Sequence, residues 1–173
     1  MANLNKECIR KNIFKLVENT GLTEIAFANL LDLSEKQIRL IKNGSANFSI
    51  DDINKICDFF KIPFSSIIKK EVKLDRMLRD KLISKHKNNP EYRGILEKRP
   101  SITYAIEYEL LFNHTFKTKG LGIAEIKKAL EDRGWEFPSG YISTAMARSG
   151  DKIKRLPHPK REGWFIYTAA QAE

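Results

Sequence analysis

Thr23-Glu24-Ile25-Ala26-Phe27-Ala28-Asn29-Leu30-Leu31-Asp32-Leu33-Ser34-Glu35-Lys36-Gln37-Ile38-Arg39-Leu40-Ile41-Lys42-Asn43-Gly44 decides the fold of this chain. It reads as two short helices joined by a tight turn. Thr23 and Ser34 each stand where a side-chain oxygen can accept an orphan N–H at a helix start. Phe27, Leu31, Leu33, Ile38 and Ile41 supply a buried seam, which leaves Glu35, Lys36, Gln37 and Arg39 pointing outward from the second helix. A purely structural helix has no need of that set of polar side chains. In a helix-turn-helix the second helix lies in the DNA major groove, and its outer residues meet base edges.

Working outward, Ile9, Ile13, Leu16 and Val17 recur at helical spacing and predict a first helix ending near Asn19-Thr20-Gly21. After the loop from Ser45 to Phe48, Ser49 is placed to cap a helix with Asp51 and Asp52 in its first turn. Acidic residues there suit the positive end of the helix dipole. Ile53, Ile56, Cys57 and Phe60 form its apolar face, Pro63 breaks the chain, and Ser65 can start a last short helix through Ile67 and Ile68. Five helices over residues 1–70 make an all-α domain.

The helix order, the Lys42-Asn43-Gly44 exit and the stretch from Ile53 to Phe64 resemble the Cro/C1 (XRE-type) helix-turn-helix family of repressors over residues 8–70. The resemblance implies that the helix beginning at Ser34 is a recognition helix, with Glu35, Lys36, Gln37 and Arg39 contacting bases. It places Thr23, Glu24, Lys42, Asn43, Gly44 and Ser45 against the DNA backbone. It also implies a dimer on a two-fold related site in double-stranded DNA, with half-sites about one helical turn apart. Three positions depart from the family pattern. Glu24 stands where glutamine is usual, Asp32 where the turn usually has glycine, and Lys42 where glutamate is usual. Aspartate tolerates left-handed backbone, so the turn can form. The charges at 24 and 42 read as a reversed ion pair between helices. Among the outward residues, Arg39 matches the O6/N7 edge of guanine, Gln37 that of adenine, and Glu35 the N4 donor of cytosine.

In the middle of the chain, Leu74, Met77, Leu78 and Leu82 make one stripe on a helix expected over residues 71–85. Lys73, Arg76, Arg79, Lys81 and Lys85 occupy its other faces. Pro90 stops it, a short helix from Glu91 to Glu97 follows, and Pro100 marks a second break. A stripe of this kind most often packs against its own domain, with a dimer-forming helix as the alternative. Residues 71–100 as a whole read as an amphipathic helical linker that spaces two domains.

From residue 101 to 173 the pattern predicts three helices and a β-hairpin. Ser101 can cap a helix to about Phe116; a second runs from Ala124 to Asp132, and a third from Tyr141 to Arg148 after Pro138-Ser139-Gly140. Lys152 to Leu156 and Gly163 to Tyr167 read as strands. The stretch from Gly120 to Tyr167 is similar to winged-helix domains, and the chain as a whole is expected to be mainly α. That resemblance implies that Ser139, Ser143, Thr144 and Arg148 face DNA from the third helix. Lys152, Lys154, Arg155, His158, Lys160 and Arg161 would then arm the hairpin wing. Such a domain also serves to dimerise or to dock a protein. Trp164, Phe165 and Tyr167 are expected in the core, because alternating aromatics suit a packed strand, with base stacking as the alternative.

Composition sets the outer bounds. The 173 residues carry 31 basic and 22 acidic side chains, a net charge of +9, which favours polyanionic partners. No apolar run approaches the roughly 18 residues that cross a bilayer, so no membrane partner is expected. The polar N-terminus and the isolated Cys8 and Cys57 fit a cytoplasmic protein with reduced thiols. His86, His114 and His158 lie in different segments, and Glu107 and Glu109 do not share a helix face. No catalytic residue, cofactor or metal site is expected. The reading is a sequence-specific double-stranded DNA-binding transcriptional regulator, a repressor of the phage or mobile-element kind acting as a dimer. The alternatives are a protein-interaction module (inhibitor, adaptor or antitoxin) and a binder of structured RNA.

Overall fold

The computed structural model describes residues 5–170. The chain is mainly helical with one small antiparallel sheet, and it divides into two compact units at Pro100 and Ser101, each with its own apolar core.

The first unit holds α1 (Lys6–Thr20), α2 (Glu24–Leu31), α3 (Glu35–Lys42), α4 (Ile50–Phe60), α5 (Phe64–Ile67), α6 (Leu78–Lys85) and α7 (Pro90–Glu97). Side-chain oxygens start four of the first helices: Asn5 caps α1, Thr23 caps α2, and Ser34 and Ser49 cap α3 and α4 through capping boxes with Gln37 and Asp52. The last of the expected five helices begins after Pro63 rather than at Ser65. Between α2 and α3 the backbone turns at Asp32, with φ 56° and ψ 33°, in the left-handed region. Its carboxylate reaches Lys55 Nζ at 2.7 Å. Ile13, Phe27, Leu30, Ile38, Ile56 and Phe59 are fully enclosed, so the predicted seam is the centre of a core.

Residues 71–100 are not a spacer. Val72, Leu82, Tyr92 and Leu96 are buried in the same core as α1 to α5. The expected helix over 71–85 begins only at Leu78, because the preceding irregular chain is tied down by side chains of α1. Buried Asn12 donates from Nδ2 to the carbonyls of Ile67 (2.8 Å) and Lys69 (2.7 Å), and its Oδ1 accepts from the Val72 N–H. Asn19 Oδ1 accepts from the Asp75 N–H. Arg79, expected on a solvated face, is buried and donates to the carbonyls of Thr20, Leu96 and Lys98. His86 is also buried, donating through Nε2 to the Phe59 carbonyl at 2.7 Å. Leu74 and Met77 of the predicted stripe are left exposed.

In the second unit the long helix expected from Ser101 to Phe116 is broken. A short α8 (Ile102–Tyr104) passes into a π-helical turn (Ala105–Glu109) and a 3-10 turn (Leu110–Phe112), and Asn113 then caps α9 (His114–Thr118). The irregular turns change the helical phase, so that Ala105, Ile106, Leu110 and Phe116 all reach one core. There follow α10 (Ile123–Glu131), α11 (Ser139–Arg148), β1 (Ile153–Pro157) and β2 (Phe165–Ala169). The strands pair antiparallel with Ile153 opposite Ala169 and Pro157 opposite Phe165. Leu121 adds a bridge on the other edge of β2, exchanging two N–H···O bonds with Tyr167. Gly120 makes this approach feasible: at φ 72°, a Cβ there would meet Ile166 and the Tyr167 carbonyl at about 3 Å.

Of the three aromatics expected in this core, Tyr167 is buried while Phe165 and Trp164 are exposed. Phe165 keeps the inward phase of Tyr167, two residues away on the same strand face. Burial falls off along the hairpin: Ile153 and Tyr167 near its base are buried, whereas Leu156 and Phe165 toward its tip are exposed, Phe165 packing against Arg155.

Candidate nucleic-acid interface

Helix α3 is amphipathic in the strict sense: Ile38 and Ile41 are buried, and Glu35, Lys36, Gln37, Arg39 and Lys42 are exposed. The exposed set is not equally available. Gln37 Oε1 accepts from both the N–H and the hydroxyl of Ser34, which fixes that side chain as the N3 half of the capping box. Arg39 lies 3.3 Å from Glu35 and 3.5 Å from Glu24. Glu24 also holds Lys42 at 3.1 Å, so the reversed ion pair expected between positions 24 and 42 is present. Lys36 has no ion pair among the described residues and stands one turn from Leu40, whose exposed side chain shares its face. The sequence reading placed Leu40 neither in the buried seam nor in the outward set, which it confined to polar side chains.

The turn after α3 differs from the expectation that its backbone is free for phosphate. The N–H groups of Asn43, Gly44 and Ser45 are already donated, to Arg39 O, Ile41 O and Asn43 Oδ1 respectively. What remains outward is side chain, namely the Asn43 amide and the Ser45 hydroxyl. Gly44 has φ 88°, and the Arg10 guanidinium sits about 3 Å from where its Cβ would be. Arg10 therefore adds a cation beside this turn. No spacing rule connects residue 10 to residue 44, so only packing reveals it. Thr23 is occupied as the α2 cap, accepting from the Ala26 N–H at 3.1 Å.

The second-unit candidates fall into two groups. Ser143, Arg155, His158 and Arg161 surround one cleft of about 510 Å³ together with Trp164 and Phe165. Thr144, Arg148 and Lys152 line a separate cleft beside Glu107. Lys152 is hydrogen-bonded to Glu107, which raises the pKa of its ammonium, and it is thereby drawn toward its own unit. The Thr144 hydroxyl donates to the Gly140 carbonyl at 2.9 Å. Ser139, Lys154 and Lys160 are exposed. Arg155 stacks on Phe165 with its guanidinium carbon 3.5 Å from the ring centre, and Arg161 lies 5.3 Å from the centre of Trp164.

No protein-family model matches the chain, and neither curated proteins nor solved structures yield a match. The site must be argued from its own chemistry. Among the described residues no cluster of three His, Cys, Asp or Glu could hold a metal, and no helix is long and apolar enough to cross a membrane. Cys8 and Cys57 are free and half-buried.

Proposed function

We propose that this protein is a sequence-specific double-stranded DNA-binding regulator of the Cro/C1 helix-turn-helix kind, with a winged-helix-like second unit. The observation that carries the reading is the outer face of α3. Lys36, Arg39, Leu40 and Asn43 are all exposed on a helix that a capping box, the left-handed Asp32 and two buried isoleucines hold rigidly. Lys36 and Arg39 can donate to guanine edges, and Leu40 can meet a thymine methyl group. Arg10, Asn43 and Ser45 supply contacts suited to phosphate on one flank. A bound dimer would repress by occluding polymerase. The apolar surface for a second copy would include exposed Ile50, Phe64 and Ile68 beside a cleft of about 370 Å³.

One observation favours a second reading, a protein-interaction module. Glu24 pairs with both Arg39 and Lys42 within the protein and offsets one of their two charges, which lowers the positive potential that DNA would meet. Selection of bound duplexes from a random DNA pool, repeated with Lys36→Ala and Arg39→Ala, tests the first reading against the second. DNA binding requires an enriched motif whose base preference relaxes in one of the variants. Retention without any enriched motif would transfer the assignment to protein docking.

A further inference from the structure

We propose that the tip of the β-hairpin binds single-stranded nucleic acid, taking an unpaired base into the cleft beside Trp164. The proposal rests on the second unit alone and does not require α3 to read duplex DNA.

Three observations converge. Trp164 and Phe165 are 59% and 40% exposed, although they are the most apolar residues of the hairpin tip. A flat aromatic face in water is a stacking platform for a base, and Trp164, with Arg161 at 5.3 Å from its ring centre, is more open than Phe165, on which Arg155 is stacked. Next, both rings carry an arginine, Arg155 on Phe165 and Arg161 on Trp164. A guanidinium held this way is oriented in advance, offers its own plane for stacking, and keeps N–H groups for phosphate. Finally, a cleft of about 510 Å³ opens between these residues and Ser143 of α11, with His158 on its wall. The His158 Nδ1 accepts the Lys160 N–H at 3.0 Å, which leaves the ring proton on Nε2 as a donor. Lys154 and Lys160 extend the positive charge along the hairpin.

A duplex fits this arrangement less well. Its base faces are covered by stacking, so it could use the arginines and lysines but not the rings. A single strand uses all of them. The occupant is therefore a strand with at least one unstacked base.

The test titrates the full chain with an oligothymidylate and an oligouridylate of about a dozen nucleotides, and with a blunt duplex of the same length. Tryptophan fluorescence follows binding by the wild type, because Trp135 is buried and Trp164 is the exposed reporter. Labelled-oligonucleotide anisotropy follows the variants. Saturable quenching by single strands is expected, with Trp164→Ala weakening that binding about tenfold or more. Trp164→Phe, which keeps a stacking face, should restore most of it. The ratio of thymidylate to uridylate affinity assigns the sugar. Absence of single-strand binding would overturn the proposal. So would single-strand binding indifferent to Trp164→Ala, or equal losses for duplex and single strand. Because Trp164 is exposed, its replacement leaves the fold intact, and a lost signal reports the contact itself.

Discussion

Single side chains on α3 and around Arg79 divide into those that hold the fold and those that face outward. Glu24 is the most consequential outward residue, since it engages both Arg39 and Lys42. These pairs are solvent-exposed, so each contributes about 0–1 kcal/mol to stability. Their effect on a polyanion is larger, because the same carboxylate both repels phosphate and withdraws two cations. If α3 meets duplex DNA as proposed, Glu24→Gln should raise duplex affinity roughly threefold or more and steepen its salt dependence, with little change in melting temperature. Filter binding across a salt series measures this. Arg79 behaves in the opposite way. It covers three carbonyl groups in the interior, and Arg79→Met would strip their donors at about 1–3 kcal/mol for each buried acceptor. A loss of about 3 kcal/mol or more in urea unfolding is expected, with no direct effect on nucleic-acid contacts. Arg79 read as a surface charge in the sequence because its spacing put it beside Lys81 and Lys85. Nothing in a one-dimensional pattern reveals that three carbonyls wait for it.

Elements show how caps and turns set geometry. The α2–α3 turn depends on Asp32 at positive φ, where a β-branched residue is penalised by about 1–2 kcal/mol. Asp32→Val should lower stability by that amount in thermal melts, and Asp32→Gly should not. Between α4 and α7, Asp58 accepts from Lys61 at 2.6 Å and is hydrogen-bonded to Tyr92, whose hydroxyl is pushed up mainly by burial. Lys61 foremost holds the Asp58 carboxyl below its ordinary value. A carboxylate with a lowered folded pKa adds stability above its unfolded value, near 3.9, and that contribution fades as pH falls through the folded value. Melting temperatures of wild type and Asp58→Asn should therefore differ modestly near neutrality and converge below about pH 4. Helices α1 to α4 were legible because apolar spacing and Ser, Thr or Asn caps agree there. The predicted helix from Ser101 to Phe116 failed because its apolar residues need a π-turn and a 3-10 turn to reach one core. Regular periodicity carries no signal for that.

At the scale of the whole molecule, the two units divide at Pro100 and Ser101, and the segment expected as a linker lies within the first of them. Leu82 and Leu96 are fully buried in the first core, and each such leucine contributes about 1.5–3 kcal/mol. A domain stable by only about 5–15 kcal/mol cannot lose both together with Val72 and Tyr92. Residues 1–100 should therefore fold alone with a cooperative melt, whereas residues 1–70 should show neither cooperative unfolding nor dispersed amide resonances. Chain-local physics was sufficient for the mainly helical class, the capped pair α2 and α3, and the outward polar set on α3. Helix periodicity, capping and turn chemistry are properties of a few neighbouring residues, and they are written in the order of the letters. Other features were decided only when distant segments met: the absorption of residues 71–100 into the first core, the contact of Glu24 with Arg39 beside its expected pairing with Lys42, the placing of Arg10 beside Gly44, and the exposure of Trp164 and Phe165. Each depends on whether a neighbour arrives to cover a surface or offset a charge, and that is set by which distant segments the fold brings together.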